Sequence, residues 1–397
     1  MNDPLTIAAQ SMRSINRSAV LEIIRRAGPI SRNAIAGQLG VSLPTVMRIV
    51  DELIAEELIC TTDAREWSGG RRRTLLEFNA QTQLVIGIDL GGTKMYGGVA
   101  DLGGNLCGEV DIARHGTSGE DSFRRLTELI DELMSGSNLR GRRIRGIGVG
   151  APGITRHREG VVEWAFALHW QDYPLKAKLI ERYRLPVTVD NDVNLAALGE
   201  LWFGAGQNCR NLVVIALGTG IGAGIIIDGA LYRGAHEASG EIGSLLPGRE
   251  FLGKDYVKFG ALESVASGTG IAERARRALK RRRKSQDTEG PDAEQVFAAA
   301  RQGQTWAQRV IDETVDYLAV AIANLSVSFD PEVIVLSGGV ARSADLLVEP
   351  LLRRMAGTIP TLPRLVVSQL GRRAAVMGAI TTVLHNTSDF YVVQKLS

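Results

Sequence analysis

The chain has 397 residues, enough for two or three domains, and hydrophobic residues make up 45% of it. Its formal net charge of +2 excludes a global basic field, so any nucleic-acid binding has to come from local patches. The three cysteines, Cys60, Cys107 and Cys209, form no C-x-x-C pair, which excludes a disulfide framework and a cysteine zinc site.

Residues 1–82 have the pattern of a winged helix-turn-helix. Ser31 and Ser42 are good N-caps for two short helices, and Gly40 between them is a typical helix stop. The second of these helices carries a core stripe of Val46, Ile49, Val50 and Leu53. Two short strands, at 58–61 and 74–78, then flank a Gly/Arg-rich tip, as in a wing hairpin.

Polar and basic side chains of this module favour DNA as its partner. Ser42, Thr45 and Arg48 are spaced by three, so they share the helix face opposite the core stripe and suit a major groove. Arg32 is placed for a backbone phosphate. The wing arginines suit phosphates or a narrow minor groove, and they are Arg71, Arg72 and Arg73. The alternative is a small helical interaction domain with solvated arginines, but the ordered combination favours DNA binding.

From Leu84 onward the pattern changes to α/β. A buried strand at 85–89 is followed by a glycine turn, and the same unit recurs at 212–224. The repeat predicts a duplicated, two-lobed domain. We assign residues 83–190 to the first lobe and 191–373 to the second, with 374–397 returning to the first.

Three glycine turns after strands are candidate phosphate loops, because glycine lets backbone N–H groups approach phosphate oxygens. A single turn of this kind is equally consistent with a tight hairpin, but repeated turns favour a nucleotide held between lobes. Asp89 could hold magnesium through water. The candidate residues are Asp89, Gly91, Gly92, Thr93, Lys94, Gly218, Thr219, Gly220, Gly338 and Gly339.

A further polar group follows the predicted strand at 187–189. Asp190, Asn191 and Asp192 end this strand, and a helix begins after them. A carboxylate at a strand end in a cleft can accept the proton of a sugar hydroxyl during phosphoryl transfer. The alternative is that Asp190 or Asp192 only caps the helix.

Taken together, these motifs resemble the ROK (repressor, ORF, kinase) family. Residues 89–94 resemble the family's phosphate motif, and residues 191–200 resemble its catalytic segment. Residues 234–243 are similar to its sugar-binding signature, and residues 260–264 are similar to the segment that follows the signature. The resemblance covers nearly the whole chain and implies a hexokinase/actin-like fold with sugar between the lobes. It also implies that Asp192 is the general base in a kinase, and that Asn191, Asp192, Glu241 and Glu263 bind the sugar.

The chain departs from the family pattern at the zinc site. Thiolates and imidazole are the ligands that zinc needs, and the family's histidine and three cysteines are replaced here by Ser244, Lys254, Tyr256 and Ala261. We therefore expect no metal, and a loop held by packing of Phe251, Tyr256 and Phe259. Ala167 stands where family kinases commonly have a sugar-contacting asparagine. His169 and His236 lie near this segment and receive no role.

The sequence thus predicts a cytoplasmic, sugar-responsive regulator, most simply a repressor of carbohydrate-utilisation genes. Its expected partners are operator DNA and a sugar or sugar phosphate, with a homodimer or dimer of dimers and no membrane contact. Residues 1–10 lack a signal-peptide core, and no run of about 18 apolar residues occurs. One alternative is a sugar kinase with a DNA-binding appendage, which alone would need Mg-ATP. Another is a non-DNA interaction module on a sugar-binding scaffold.

Overall fold

The computed structural model describes most of the chain, namely residues 4–68, 71–92, 94–113, 118–136, 142–256, 260–280 and 290–387. Side chains are described within these ranges except at 4–15, 63–68, 71–73 and 385–387. Both helices and strands occur throughout the chain after residue 83, which is the mixed α/β character predicted above. In the described part of the chain, no helix is long and apolar enough to span a membrane.

The N-terminal module is a winged helix-turn-helix, as predicted. Its elements are α1 (Pro4–Ala27), β1 (Ile30–Ser31), α2 (Arg32–Leu39), α3 (Leu43–Ala55), β2 (Ile59–Ser68) and β3 (Arg71–Phe78). The three strands form an antiparallel sheet in the order β1-β3-β2. Gly40 ends α2 in the left-handed conformation, with φ of 65°, and the chain turns there into α3.

The wing hairpin is longer than the sequence predicted. Pairing of β2 with β3 continues to Ser68 opposite Arg71, so the arginines expected at a loop tip lie at the start of β3. A register shift between Thr62 and Arg65 takes up extra residues as a bulge, and the ladder continues through polar positions. Residues 69–70, the predicted tip glycines, lie outside the described residues.

The first lobe is built on a five-stranded sheet with the order β11-β7-β4-β5-β6. Strand β4 is buried along nearly its whole length, which explains its apolar sequence without polar alternation. The elements are β4 (Gln83–Leu90), β5 (Lys94–Asp101), β6 (Leu106–Ala113), α4 (Gly119–Ser135), β7 (Arg143–Ala151), α5 (Leu175–Tyr183) and β11 (Val187–Asn191). A small antiparallel sheet follows β7 and contains β8 (Ile154–Arg156), β9 (Val161–Ala165) and β10 (Trp170–Tyr173).

The second lobe is built on another five-stranded sheet, with the order β14-β13-β12-β15-β16. Its strands are β12 (Leu212–Leu217), β13 (Ile221–Ile227), β14 (Ala230–Leu231), β15 (Val333–Ser337) and β16 (Arg364–Val367). Its helices are α6 (Asp192–Phe203), α7 (Glu263–Ala266), α8 (Gly268–Lys280), α9 (Ala293–Arg301), α10 (Thr305–Phe329) and α11 (Val348–Met355). Buried apolar residues on one side of the sheet form a core cluster with α7–α11, and a smaller cluster on the other side joins the sheet to α6.

The last helix of the described residues, α12 (Arg373–Thr387), lies between the two sheets together with α6. Helix α12 packs on β4 and β7 of the first sheet, while α6 packs on β12 and β13 of the second. The two helices cross closely: a Cβ on Gly378 would lie 1.7 Å from the carbonyl oxygen of Leu195. Glycine at 378 is therefore a requirement of this crossing.

One hydrophobic cluster joins the winged module to the first lobe. The side-chain amide of Gln83 strengthens this junction, donating to the Glu56 carbonyl at 2.7 Å and accepting from Arg145 at 2.6 Å. The winged module therefore shares its core with the first lobe. Members of the cluster include Val20, Leu53 and Leu76 of the module, Val85 and Ala100 of the sheet, and Val376, Ile380 and Val383 of α12.

Candidate functional site

Two serine caps shape the helix-turn-helix. The Ser31 side chain accepts a hydrogen bond from the backbone N–H of Ala34 and begins α2, and Ser42 does the same for Thr45 at the start of α3. Each cap satisfies a backbone donor that has no partner within the helix. The core stripe predicted for α3 is buried, so the opposite face of this helix is presented to solvent.

The predicted base-contacting residues of α3 differ in what they offer to DNA. The hydroxyls of Ser42 and Thr45 lie 2.8 Å apart and hydrogen-bond to each other, so both already have partners in the cap. Arg48 is exposed on the same helix. Arg32, predicted to contact a phosphate, lies 3.7 Å from Asp51 across the helix pair. Arg71, Arg72 and Arg73 belong to β3, and their side chains are outside the described set.

A cavity of about 290 Å³ lies between the lobes, beside α6 and α12. Of the predicted residues, it brings together Asp89, Asp192, Gly338 and Gly339. Gly338 has φ of +89°, and a Cβ there would lie 2.5 Å from the Leu217 carbonyl oxygen, so only glycine permits this approach of β15 to β12. The wall also contains two arginines that sequence reasoning missed, Arg342 and Arg372.

The other predicted phosphate-loop residues are not among the described residues that line this cavity. Gly218, Thr219 and Gly220 form the hairpin between β12 and β13. Their carbonyls anchor the first turn of α8, since Gly218 O accepts from the Gly268 N–H at 2.8 Å and Thr219 O accepts from Thr269 Oγ1 at 3.0 Å.

The first glycine turn joins β4 to β5. Gly91 and Gly92 lie in this turn, and Gly92 approaches Ala167 of the neighbouring loop, with 3.5 Å between the Ala167 Cβ and a Cβ built on the glycine. Lys94 begins β5 and is exposed. Thr93 lies outside the described residues.

Two carboxylates, Asp89 and Asp192, line the cavity, and the pKa of each is raised. Burial raises the pKa of Asp89 to about 6, against the opposing field of the Arg372 guanidinium. Burial, and then repulsion from Asp89, raise the pKa of Asp192 well above its usual range. Perturbed carboxylates in a cleft are typical of functional sites.

Asn191 is the N-cap of α6. Its Oδ1 accepts from the backbone N–H groups of Val193 at 2.9 Å and Asn194 at 3.0 Å, while its Nδ2 donates to the Gly153 carbonyl at 3.0 Å. The sequence left open whether Asp190 or Asp192 caps this helix. The N-cap is the residue between them, and Asp192, whose Oδ1 also accepts from the Val193 N–H at 2.8 Å, lines the cavity.

Asp190 is buried in a polar cluster that sequence reasoning missed. It accepts from Arg233 at 2.5 Å, from the Asn191 backbone N–H at 2.8 Å and from Asn194 Nδ2 at 3.3 Å, and His157 Nδ1 lies 3.4 Å away. Arg233 directly precedes the segment similar to the family's sugar-binding signature, which was a usable signal. His157 belongs to no motif in the sequence.

Two buried polar atoms of this cluster, Asn194 Oδ1 and Arg233 Nε, have no hydrogen-bond partner among the described residues. Buried polar atoms are almost always satisfied, by protein, water or ligand. Their unsatisfied state is consistent with a polar molecule binding beside α6.

The two predicted sugar-binding glutamates form a second acidic pair. Glu263 accepts a hydrogen bond from the Ile221 backbone N–H at 2.8 Å. Burial raises its pKa, opposed by that N–H, and burial followed by repulsion from Glu263 raises the pKa of Glu241. Repulsion from Glu241 also contributes to the raised pKa of Asp192.

The loop that corresponds to the family's zinc site is held by aromatic packing. Phe251 is buried, stacks on Tyr256 with ring centroids 6.2 Å apart, and meets Tyr317 edge-on at 5.9 Å. Phe259, also expected in this packing, lies outside the described residues. Ser244, Lys254, Tyr256 and Ala261 supply no thiolate or imidazole, so these positions do not fit zinc. No group of three or more potential metal-binding side chains occurs among the described residues.

Family models match both parts of the chain. A model described as "ROK family" matches residues 85–386, and one described as "Winged helix-turn-helix DNA-binding" matches residues 13–59. The putative xylose repressor of Caldicellulosiruptor sp. is 32% identical over 389 residues, covering 96% of this chain and 98% of the relative. The glucokinase of Halalkalibacterium halodurans is 36% identical over 307 residues, covering 74% of this chain and 92% of that enzyme.

Solved structures divide in the same way. A ROK family transcriptional regulator, described as a homolog of the E. coli MLC protein, superposes with a TM-score of 0.82 at 25% identity, covering 96% of this chain and 98% of that one. A ROK family glucokinase from Streptomyces griseus, in complex with glucose and AMPPNP, gives a TM-score of 0.66 at 29% identity, covering 76% and 99%. The regulator thus matches the winged module as well, whereas the kinase matches the two lobes.

Proposed function

The chain belongs to the ROK family, and from this premise we propose that it is a sugar-responsive transcriptional repressor of carbohydrate-utilisation genes. One observation carries the proposal. The helix-turn-helix and α12 share a hydrophobic cluster, and α12 reaches the cavity between the lobes through Ala375. A ligand in the cleft therefore has a physical route to the DNA-binding surface.

The regulatory step is a change in the angle between the lobes. Residues 83–190 with α12 move as one lobe against residues 191–373, and the sugar lies against Asp192, Glu241 and Glu263. A ligand shifts this equilibrium only if it binds one lobe arrangement better than the other. The closed arrangement moves α6 against α12 and so displaces the winged modules of a homodimer from two half-sites. The assembly is such a homodimer or a dimer of dimers.

Xylose is the first sugar to test, because relatives that match nearly the whole chain are named xylose repressors. Glucose is the second, because relatives that match only the lobes are named glucokinases. The unsatisfied Asn194 and Arg233 atoms beside α6 are suited to the hydroxyls of either sugar.

The test is fluorescence anisotropy of the full chain on DNA fragments from around its own gene, at fixed salt. Xylose, glucose and their phosphates are added in turn. We expect specific binding that one of these sugars releases. Arg48→Ala should weaken binding by roughly 1–3 kcal/mol, and the triple change of Arg71, Arg72 and Arg73 to Ala should flatten its salt dependence. Binding unaffected by these variants would favour an interaction module that does not read DNA.

A second candidate function is an ATP-dependent sugar kinase, favoured by Asp192 beside Asp89 in the cavity. Asp192 would accept the proton of the sugar hydroxyl. Mg-ATP, if used, would supply the phosphoryl group and would be held by Gly338, Gly339 and Asp89, with Arg342 and Arg372 around its phosphates. These residues fit it, because open space surrounds Gly339. Sugar-dependent ADP release that is lost in Asp192→Asn would support the kinase, and no release with any sugar would exclude it.

A further inference from the structure

The outer face of α3 carries two exposed apolar side chains. Leu43 is 37% exposed and Met47 is 47% exposed, and in the described part of the winged module they are the exposed large hydrophobic residues. They lie four residues apart, so they share one face of the helix. Neither belongs to the buried stripe of the same helix.

Packing within the module does not account for this exposure. Val41, just before the Ser42 cap, packs on the same cluster as Val46, which is the hydrophobic contact usual at a helix start. Leu43 and Met47 are left outside that contact. Together they form a small apolar surface on the outer face of α3.

The polar neighbours on this face are largely occupied. The Ser42 and Thr45 hydroxyls hydrogen-bond to each other at 2.8 Å, and Asp51 lies 3.7 Å from Arg32. Beside these paired polar groups, α3 presents one exposed guanidinium, Arg48, and the two apolar side chains. Arginine suits the O6 and N7 atoms of guanine, and the apolar group in the major groove is the thymine 5-methyl.

We propose that Leu43 and Met47 contact thymine 5-methyl groups and so determine part of the DNA sequence that this protein recognises. The proposal rests on the DNA-binding function proposed above. The N-terminal half of the second helix of a helix-turn-helix is the part that reaches base edges, and both residues lie there. Four residues of helix advance about 6 Å, close to the rise of two base pairs, so the two thymines should lie about two base pairs apart.

The experiment removes single methyl groups from DNA. The full chain selects its operator from random duplexes, and each thymine of a half-site is then replaced by deoxyuridine, which lacks only the 5-methyl. Anisotropy at fixed salt gives the dissociation constants. We expect one or two replacements to weaken wild-type binding about fourfold each, the effect of burying one methyl group.

Variants assign each methyl to a side chain. Met47→Ala should weaken binding to the thymine operator and lose its sensitivity to one deoxyuridine position, and Leu43→Ala should lose sensitivity to the other. Met47→Leu should retain the sensitivity to the deoxyuridine position that Met47→Ala loses. Arg48→Ala is the matched control: it should change the preference at a G·C pair and keep both methyl effects. Circular dichroism of each surface variant checks that the fold is intact.

The outcomes separate this inference from the proposed function. Specific binding by the wild type with no loss on deoxyuridine replacement, or equal losses in both alanine variants, overturns the methyl contacts and leaves the repressor standing. A selected half-site without thymine does the same. Alanine variants that bind DNA normally but lose self-association would assign the patch to a second copy of the chain. No specific DNA binding at all overturns both.

Discussion

Three consecutive residues at the junction of β11 and α6 have three different environments. Asp190 is buried against Arg233, Asn191 caps α6, and Asp192 faces the cavity. Each kind of environment responds differently to substitution. Loss of a cap costs stability, whereas loss of a cavity carboxylate changes ligand binding and the response to pH.

Replacing the cap tests whether Asn191 is structural. Asn191→Ala leaves the Asn194 N–H without its acceptor and the Val193 N–H with only Asp192 Oδ1, and it should lower the free energy of unfolding by about 1 kcal/mol. Asn191→Asp keeps the acceptor oxygen and should lower it much less. Urea unfolding measures both. Equal loss in the two variants would show that the amide donor to Gly153 is the important part.

The Asp89 carboxyl should make stability depend on pH. Its pKa is about 6 in the folded protein and near 3.8 when unfolded, so the folded state holds the proton more tightly. The protonated Asp89 carboxyl therefore stabilises the folded state fully below about pH 4, and this stabilisation is lost as the pH rises through 6. Asp89→Asn should raise the free energy of unfolding at pH 7.5 by on the order of 1 kcal/mol and leave it nearly unchanged at pH 4.

The control is Asp228→Asn, which changes an exposed surface aspartate and should show no such difference between the two pH values. Asp89→Asn also removes a charge that raises the pKa of Asp192. A pH dependence of unfolding that is the same in Asp89→Asn and wild type would contradict the assignment.

Among the helices and strands, the features that depend only on nearby residues could be predicted from the sequence. The caps of α2 and α3 and the stop at Gly40 depend on neighbours within a few residues, and all three were predicted from the sequence. The extent of the wing was not predicted, because polar strands there are held by their partner and by a bulge. The Asp190 cluster was missed because Arg233 and His157 come from distant segments.

The loop around Phe251 should be stable without metal. Thermal unfolding in the presence of a strong chelator should leave the midpoint unchanged, and metal analysis should find no stoichiometric zinc. Phe251→Ala removes a buried ring that contacts Tyr256 and Tyr317 and should cost about 3 kcal/mol. Phe251→Leu keeps most of the volume and serves as control. A lower midpoint with chelator would overturn the assignment of aromatic packing as the support.

For the whole molecule, the important contact is the crossing of α6 and α12. One helix packs on each sheet, and the crossing is therefore the place where a change in the angle between the lobes has to be accommodated. The N-terminus of α6 carries Asp192. The other helix continues into the cluster shared with the winged module. In the function proposed above, these two helices connect the sugar site with the DNA-binding surface.

Enlarging one glycine should disturb this crossing. A Cβ at Gly378 would lie 1.7 Å from the Leu195 carbonyl oxygen, so Gly378→Ala should lower the free energy of unfolding by about 2–3 kcal/mol. It should also reduce the effect of sugar on DNA affinity. Gly37→Ala, in the open on helix α2, is the matched control and should raise stability by roughly 0.5–1 kcal/mol. Unchanged stability in Gly378→Ala would contradict the close packing.

The junction between the winged module and the first lobe also limits how such regulators can be recombined. A chimaera joined at residue 82 would place a foreign winged module against Gln83 and Arg145. In this protein Gln83 accepts a hydrogen bond from Arg145 and donates one to the Glu56 carbonyl of the winged module. The apolar side chains of a foreign module would also not match Val85 and Val376, which belong to the shared hydrophobic cluster. Exchange of the winged module, in the laboratory or in evolution, therefore requires matching residues on both sides of its junction with the first lobe. DNA-sequence specificity is more easily changed by substitutions on α3 alone.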